Sequence, residues 1–256
     1  PLAAAGPARA RRLPDGTAID AHTVILASGV SYRLLDGPGL ADLVGRGVFY
    51  GSALTEASAC QDQEVYVVGG ANSAGQAALY LAREAKQVTL VVRGDSLARS
   101  MSSYLVEQVE AHPRVRVLTR TEVVAASGDD HLEHLELRDL DAGTTSRVEC
   151  GWAFVFIGVA PRTDWLDGVV ARDPRGFVLA GPDLLHDGAP PAGWTLDRPP
   201  YHLETSVPGV FAAGDVRAES AERVASAVGE GAMAVLLVHR CRARLGPRPA
   251  PLPPPP

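Results

Sequence analysis

Three stretches of this sequence have residue types and spacing suited to chemistry. The first is Val65-Tyr66-Val67-Val68-Gly69-Gly70-Ala71-Asn72-Ser73-Ala74-Gly75. An apolar run stops at a glycine pair, and small residues then open a helical pattern, as in G-x-G-x-x-A with Ala71 at the middle glycine. Gly69 permits a sharp turn, Ala71 lets backbone approach a pyrophosphate, and Ala74 lets the helix pack closely on the strand. The free N–H groups and positive dipole end of that helix suit phosphates. A nucleophile elbow at Ser73 is the rival reading, but it requires glycine where Ala71 stands.

The second stretch, Thr205-Ser206-Val207-Pro208-Gly209-Val210-Phe211-Ala212-Ala213-Gly214-Asp215, brings a carboxylate to the end of a short strand. Asp215 can accept a hydrogen bond from a polyol hydroxyl, and Gly214 lets a ligand come near. Asp215 can equally cap the following helix. The third, Thr23-Val24-Ile25-Leu26-Ala27-Ser28-Gly29, is a strand ending in Gly29. After the strand that follows the first loop comes Val92-Arg93-Gly94-Asp95. An acid there binds ribose hydroxyls, whereas an arginine favours a 2′-phosphate; Arg93 comes first and points to NADPH, and Asp95 argues the other way.

Positioning these groups requires an α/β fold. Apolar runs predict strands at 23–27, 65–68, 87–92, 115–118, 132–138, 153–157 and 210–213. Helical periodicity covers 73–85, 96–111 and 221–245. Runs 65–68 and 87–92 flank a helix, a βαβ unit with a buried parallel pair. Residues 132–148 read as an antiparallel hairpin turning at Asp141-Ala142-Gly143. Gly/Pro-rich stretches at 36–47 and 158–163 punctuate the chain and suggest one domain inserted into another.

Together the three stretches resemble the bacterial thioredoxin reductase family: its A-T-G strand beside the flavin, its NADPH loop, and its second FAD motif, T-S-x-P-G-x-F-A-A-G-D. The resemblance spans about residues 13–245. It implies two doubly wound, Rossmann-like dinucleotide-binding domains. The expected boundaries are 1–44 and 161–246 for FAD, 45–160 for NAD(P)H, and 247–256 as a proline-rich tail. It implies FAD and NADPH as cofactors, with hydride passing from nicotinamide C4 to flavin N5. Gly29, Gly214, Asp215 and backbone groups of Arg223, Val224 and Ala225 would then lie near the flavin. Gly69, Gly70, Ala71, Asn72, Ser73, Ala74 and Arg93 would hold NADPH. Relatives of this kind are usually homodimers.

Two departures stand out. The family's C-x-x-C dithiol follows a G-R-G-V linker, here Gly45-Arg46-Gly47-Val48, and its positions align with Gly51 and Leu54. Disulfide exchange needs a thiolate and a resolving partner. Cys60, Cys150 and Cys241 are far apart in sequence, so the expected acceptor is a redox protein or small molecule, not a dithiol of this chain. The pattern is closer to the cysteine-less reductase-like proteins, including ferredoxin–NADP reductases of this type. The family's first FAD motif would precede Pro1, and the chain reads as one whose beginning is missing. A disulfide reductase with thiols from elsewhere and a non-catalytic NADPH sensor remain as alternatives.

The bulk properties agree. The 256 residues are 46% hydrophobic, enough for more than one domain, and the net charge of -6 disfavours a nucleic acid or an anionic membrane as partner. No apolar run is expected to span a bilayer. Three sparse cysteines suit a reducing, cytoplasmic setting better than a secreted disulfide scaffold. His131 and His134 lack a third ligand nearby and read as solvated surface, with no metal expected. The loop 181–200 is read as a surface excursion or a cover for the flavin, and residues 246–256 as an unstructured tail.

Overall fold

A computed structural model describes residues 2–5, 8–12, 18–51 and 57–245. The expected tail therefore lies outside the described residues, as does Leu54. The chain forms two compact units, an inner one of Tyr32–Gly158 and an outer one built from the residues on either side.

The outer unit opens with an antiparallel sheet of β1 (Leu2–Ala5), β2 (Ala8–Arg12) and β3 (Ala18–Ala21), in that order. Its alanine-rich strands have low β propensity and few large apolar residues, which is why the sequence does not announce them. Then come β4 (Val24–Leu26) and β5 (Val30–Tyr32).

The inner unit contains β6 (Val48–Tyr50), β7 (Glu64–Val68), α1 (Asn72–Leu81), β8 (Gln87–Val91), α2 (Ser103–Ala111), β9 (Val115–Leu118), β10 (Thr121–Ser127), β11 (His134–Asp139), β12 (Thr145–Glu149) and β13 (Trp152–Val155). A five-stranded parallel sheet runs β6-β13-β7-β8-β9, with Val65 opposite Val88 and Val67 opposite Leu90. Its two faces differ. Val65, Val67, Val88, Leu90 and Phe154 pack on one side with residues of α1 and α2 such as Leu81, Leu105 and Val109. On the other, Tyr66, Val68, Val91 and Val155 meet the antiparallel sheet β10-β11-β12 through Val123, Leu135 and Leu137. Burial on both faces explains why β7 and β8 read as continuous apolar runs.

The inner unit starts at Tyr32, upstream of the expected boundary at residue 45. The glycine-rich stretch is not a linker, because Leu40 and Leu43 are buried with the β10-β11-β12 face. Gly37 and Gly39 lie so close to β10 that a Cβ would come within 2.1 Å of the Val124 carbonyl oxygen and 2.0 Å of that of Ala126. Both have positive φ, so glycine is needed for conformation as well as space.

The chain returns to the outer unit with β14 (Val159–Pro161), which pairs with β5, and β15 (Val210–Ala212), which lies parallel to β4 with Val210 opposite Val24. Helix α3 (Val224–Leu245) packs Ala234, Leu237 and Cys241 against Phe211 and Ala213. It starts three residues later than expected because Glu222 sits at φ 49°, which no right-handed helix accommodates. Contrary to the sequence reading, its stretch Val224–Arg244 is long and apolar enough to cross a membrane by length and composition. Its packing on β15 gives it a place in the outer core.

The loop after β14 is ordered by one buried carboxylate. Glu204, fully buried, accepts hydrogen bonds from Arg198 (2.7 and 3.1 Å) and from the backbone N–H groups of Tyr201 (3.0 Å) and Gly209 (2.8 Å). The Arg198 guanidinium lies 3.7 Å from the Tyr201 ring centroid.

Leu90→Ala, at a fully buried position between sheet and helices, is expected to lower unfolding free energy by about 2–5 kcal/mol. The same change at exposed Leu34 should stay within about 0.5 kcal/mol. Urea titration of the two variants followed by circular dichroism checks the contrast.

Candidate functional site

The phosphate-type loop stands at the C-terminal ends of β7 and β13. Gly69 adopts φ 146°, and its N–H donates to the Val91 carbonyl at 3.0 Å. A Cβ there would come within 2.4 Å of the Phe156 carbonyl oxygen and 3.1 Å of the Ala74 Cβ, so the strand crossing and the helix crowd it together. At Gly70 a Cβ would reach 2.9 Å from Val92. Ala71 is the extended N-cap of α1 and supplies no side-chain cap. The first N–H groups of the helix, at Asn72, Ser73 and Ala74, are those an α-helix leaves without intrahelical partners. Asn72 and Ser73 are exposed, and Ala74 is buried against the sheet as its size predicts.

A strap shapes this loop. The Ser100 hydroxyl donates to the Gly70 carbonyl at 2.8 Å, and the Asn72 side-chain oxygen accepts from the Ser102 N–H at 2.8 Å and its hydroxyl at 3.2 Å. Asn72 thus braces the loop through its Oδ1, a role the sequence reading did not give it. Ser100 and Ser102 were missed, since a serine's partner thirty residues away leaves no local pattern. Gly75 makes room for Met101, whose Cε would lie 2.8 Å from a Cβ there.

Beyond β8 the turn carries exposed Arg93 and Asp95 around half-buried Gly94. The Asp95 carboxylate pairs with Arg99 at 3.6 Å and Arg120 at 3.9 Å. Arg120 also bonds Asp141 at 3.2 Å.

In the outer unit, β4 and β15 run parallel, so their C-terminal ends bring Gly29 and Gly214-Asp215 to one edge. The Ala213 N–H bonds the Leu26 carbonyl at 3.0 Å, which ties the two ends. Gly29 has φ 62° and Gly214 φ 75°. The Gly214 N–H donates to Glu230 on α3 at 2.7 Å, and Arg217 donates to the same carboxylate at 2.5 Å. Burial pushes the Glu230 carboxyl up, but these bonds and the Arg217 charge outweigh it and hold the group below its ordinary range. Asp215 is half-buried, with the Ser220 hydroxyl 3.4 Å away. Arg223 precedes α3 and its carbonyl accepts from the Ala227 N–H at 3.0 Å, while Val224 and Ala225 begin the helix, all three exposed.

The two sets fit the groups the sequence suggests. An uncapped helix start beside a crowded glycine turn suits a pyrophosphate, and Asp215 at a sheet edge beside positive-φ glycines suits a polyol chain. Gly51 is buried at φ 74°, and a Cβ there would stand 2.9 Å from the Tyr32 hydroxyl. A side chain at this position, cysteine included, meets an unfavourable backbone, and the hydroxyl end of the exposed Tyr32 side chain would have to move aside.

Cys60, Cys150 and Cys241 are all buried, and no disulfide joins them. Burial pushes the Cys150 thiol up to about 12, with nearby Cys60 adding to the rise. The fold thus brings Cys60 and Cys150 within electrostatic range of each other, a proximity their sequence separation conceals. His134 bonds Arg147 at 2.9 Å, and His131 stands edge-on to Trp152 at 5.2 Å. Among the described residues no three His, Cys, Asp or Glu side chains gather to hold a metal.

Comparison with known proteins places this geometry. The family described as pyridine nucleotide-disulphide oxidoreductase matches residues 7–231. A thioredoxin reductase of Peptoclostridium acidaminophilum is 33% identical over 220 residues, covering 84% of this chain and 63% of the relative. An alkyl hydroperoxide reductase component of Pseudomonas putida is 34% identical over 226 residues, covering 88% and 39%. The chain therefore spans less than two thirds of the length of these relatives. The thioredoxin reductase structure from Streptococcus pyogenes superimposes with a TM-score of 0.71 at 29% identity, covering 95% of this chain and 72% of that one. That from Giardia duodenalis gives 0.72 at 26%, covering 93% and 72%. The chain belongs to the pyridine nucleotide-disulphide oxidoreductase family, with the two-domain, Rossmann-like α/β fold of the thioredoxin reductases.

Proposed function

We propose that this protein is an FAD- and NADPH-dependent oxidoreductase that delivers electrons to an acceptor other than a dithiol of its own chain. The observation that carries the choice of acceptor is Gly51, buried at positive φ against Tyr32 where the family's first redox cysteine aligns. The relatives are thioredoxin reductases and alkyl hydroperoxide reductase components, and their names support electron transfer from a reduced nucleotide. Bound FAD would supply the two-electron chemistry between NADPH and the acceptor.

The residues of this chain bind and orient. Gly69 to Ala74 place the open start of α1 against the NADPH pyrophosphate, and Ser100 and Ser102 keep that loop in shape. Arg93 faces the 2′-phosphate. Asp215 accepts from the ribityl chain, Gly29 and Gly214 allow the close approach, and Arg223, Val224 and Ala225 offer backbone groups at the start of α3. Glu230 and Arg217 fix the Gly214 turn. The buried thiols have no part in the reaction, and the high Cys150 pKa keeps its thiolate scarce at neutral pH. In this reading the protein works in the cytoplasm as a homodimer with a redox protein or small molecule as acceptor.

A disulfide reductase using thiols outside this chain is the second reading, favoured by the names of the relatives. The FAD-loaded protein should reduce ferricyanide or a quinone with NADPH and leave thioredoxin disulfide unreduced. Replacing Cys60, Cys150 and Cys241 together by alanine, which suits their burial, should keep that activity. NADPH-dependent thioredoxin reduction that survives in the triple variant would establish the second reading instead, and thioredoxin reduction lost with the three cysteines would overturn both readings. Arg93→Ala should weaken NADPH binding roughly tenfold to hundredfold, with NADH affinity unchanged, in a fluorescence titration.

A further inference from the structure

The turn after β8 is held against a second turn from the neighbouring strand. The Arg120 N–H donates to the Gly94 carbonyl at 2.8 Å, the Thr121 N–H to the Val92 carbonyl at 3.1 Å, and the Arg120 carbonyl accepts from the Leu140 N–H at 2.8 Å. Arg120 sits at φ 49°, a left-handed conformation disfavoured for a residue with a Cβ. Its side chain is about half exposed and is held by Asp141 at 3.2 Å rather than by apolar packing. Backbone strain at a residue whose side chain buries little points to a role for that side chain.

Its guanidinium reaches the turn after β8, to which the nucleotide-site reading above assigns the adenosine ribose. There it faces one oxygen of Asp95 while Arg99 faces the other, at 3.9 and 3.6 Å. The carboxylate that would compete for NADH, by accepting from ribose hydroxyls, is thus engaged by two cations. Exposed ion pairs at such distances are worth about 0–1 kcal/mol. A phosphate carries nearly two charges and offers shorter, charge-assisted bonds. With its other nitrogen kept on Asp141 at 3.2 Å, Arg120 exchanges only its long Asp95 contact for a stronger phosphate one when the ligand carries a 2′-phosphate.

We propose that Arg120, delivered from the end of β9, is a specificity-determining residue for the 2′-phosphate of NADPH, with Asp95 as its positioning residue and not a ribose-hydroxyl acceptor. The inference rests on the nucleotide-site reading above. Calorimetric titration with 2′,5′-ADP and 5′-AMP probes the site without flavin or turnover. The native protein should bind 2′,5′-ADP the more tightly. Arg120→Ala should weaken 2′,5′-ADP by about tenfold or more and leave 5′-AMP nearly unchanged, with Arg120→Lys recovering part of the loss. Asp95→Asn should leave 5′-AMP affinity intact. Equal weakening of both nucleotides by Arg120→Ala, with no recovery in Arg120→Lys, would make Arg120 a structural prop and overturn the proposal. So would a tenfold loss of 5′-AMP affinity in Asp95→Asn, which would make Asp95 the ribose acceptor. Wild-type binding of both nucleotides with equal affinity would defeat the specificity claim alone, whereas binding of neither would also defeat the nucleotide-site reading.

Discussion

The inner unit depends on the close approach of α1 to the parallel sheet at Gly69. Helix, turn and the chain leaving β13 meet where a single added carbon would stand 2.4 Å from a carbonyl oxygen. That crowding forces small residues along the first turns of α1, where Ala74, Ala77 and Ala78 are buried. It also aims the helix start across the sheet edge. The site is therefore a by-product of how tightly the helix docks, and Ser100, Ser102 and Met101 secure the same contact from the far side of β8.

The sequence disclosed those elements whose physics is local. β7 and β8 are mostly apolar because both faces are covered, and the hairpin turn at Asp141-Ala142-Gly143 joins β11 to β12 where its residues indicate. Elements defined by distant partners stayed hidden. The sheet β1-β2-β3 is held by backbone pairing between alanine-rich strands, which leave no apolar signature. The stretch beginning at Asp36 carries turn residues and reads as a linker, yet Gly37 and Gly39 let backbone lie against β10.

The candidate site shows the same division. Gly69, Gly214 and Asp215 announce themselves through motif spacing, which fixes backbone shape over a few residues. Ser100, Arg120 and Glu230 do not, because each acts on a segment that only the tertiary fold brings near. Asn72 falls between the two: its position belongs to the loop, but its side-chain oxygen is directed by Ser102.

The pairing of β4 with β15 sets an order on the making of the molecule. Val24 must wait for Val210, so a ribosome emits the whole inner unit before the outer parallel pair can close. The inner unit is contiguous and can form as each segment appears, whereas the edge of β4 that pairs with β15 stays open through that interval. Exposed strand edges invite intermolecular pairing. A three-residue β4 shortens that edge and limits the hazard during synthesis.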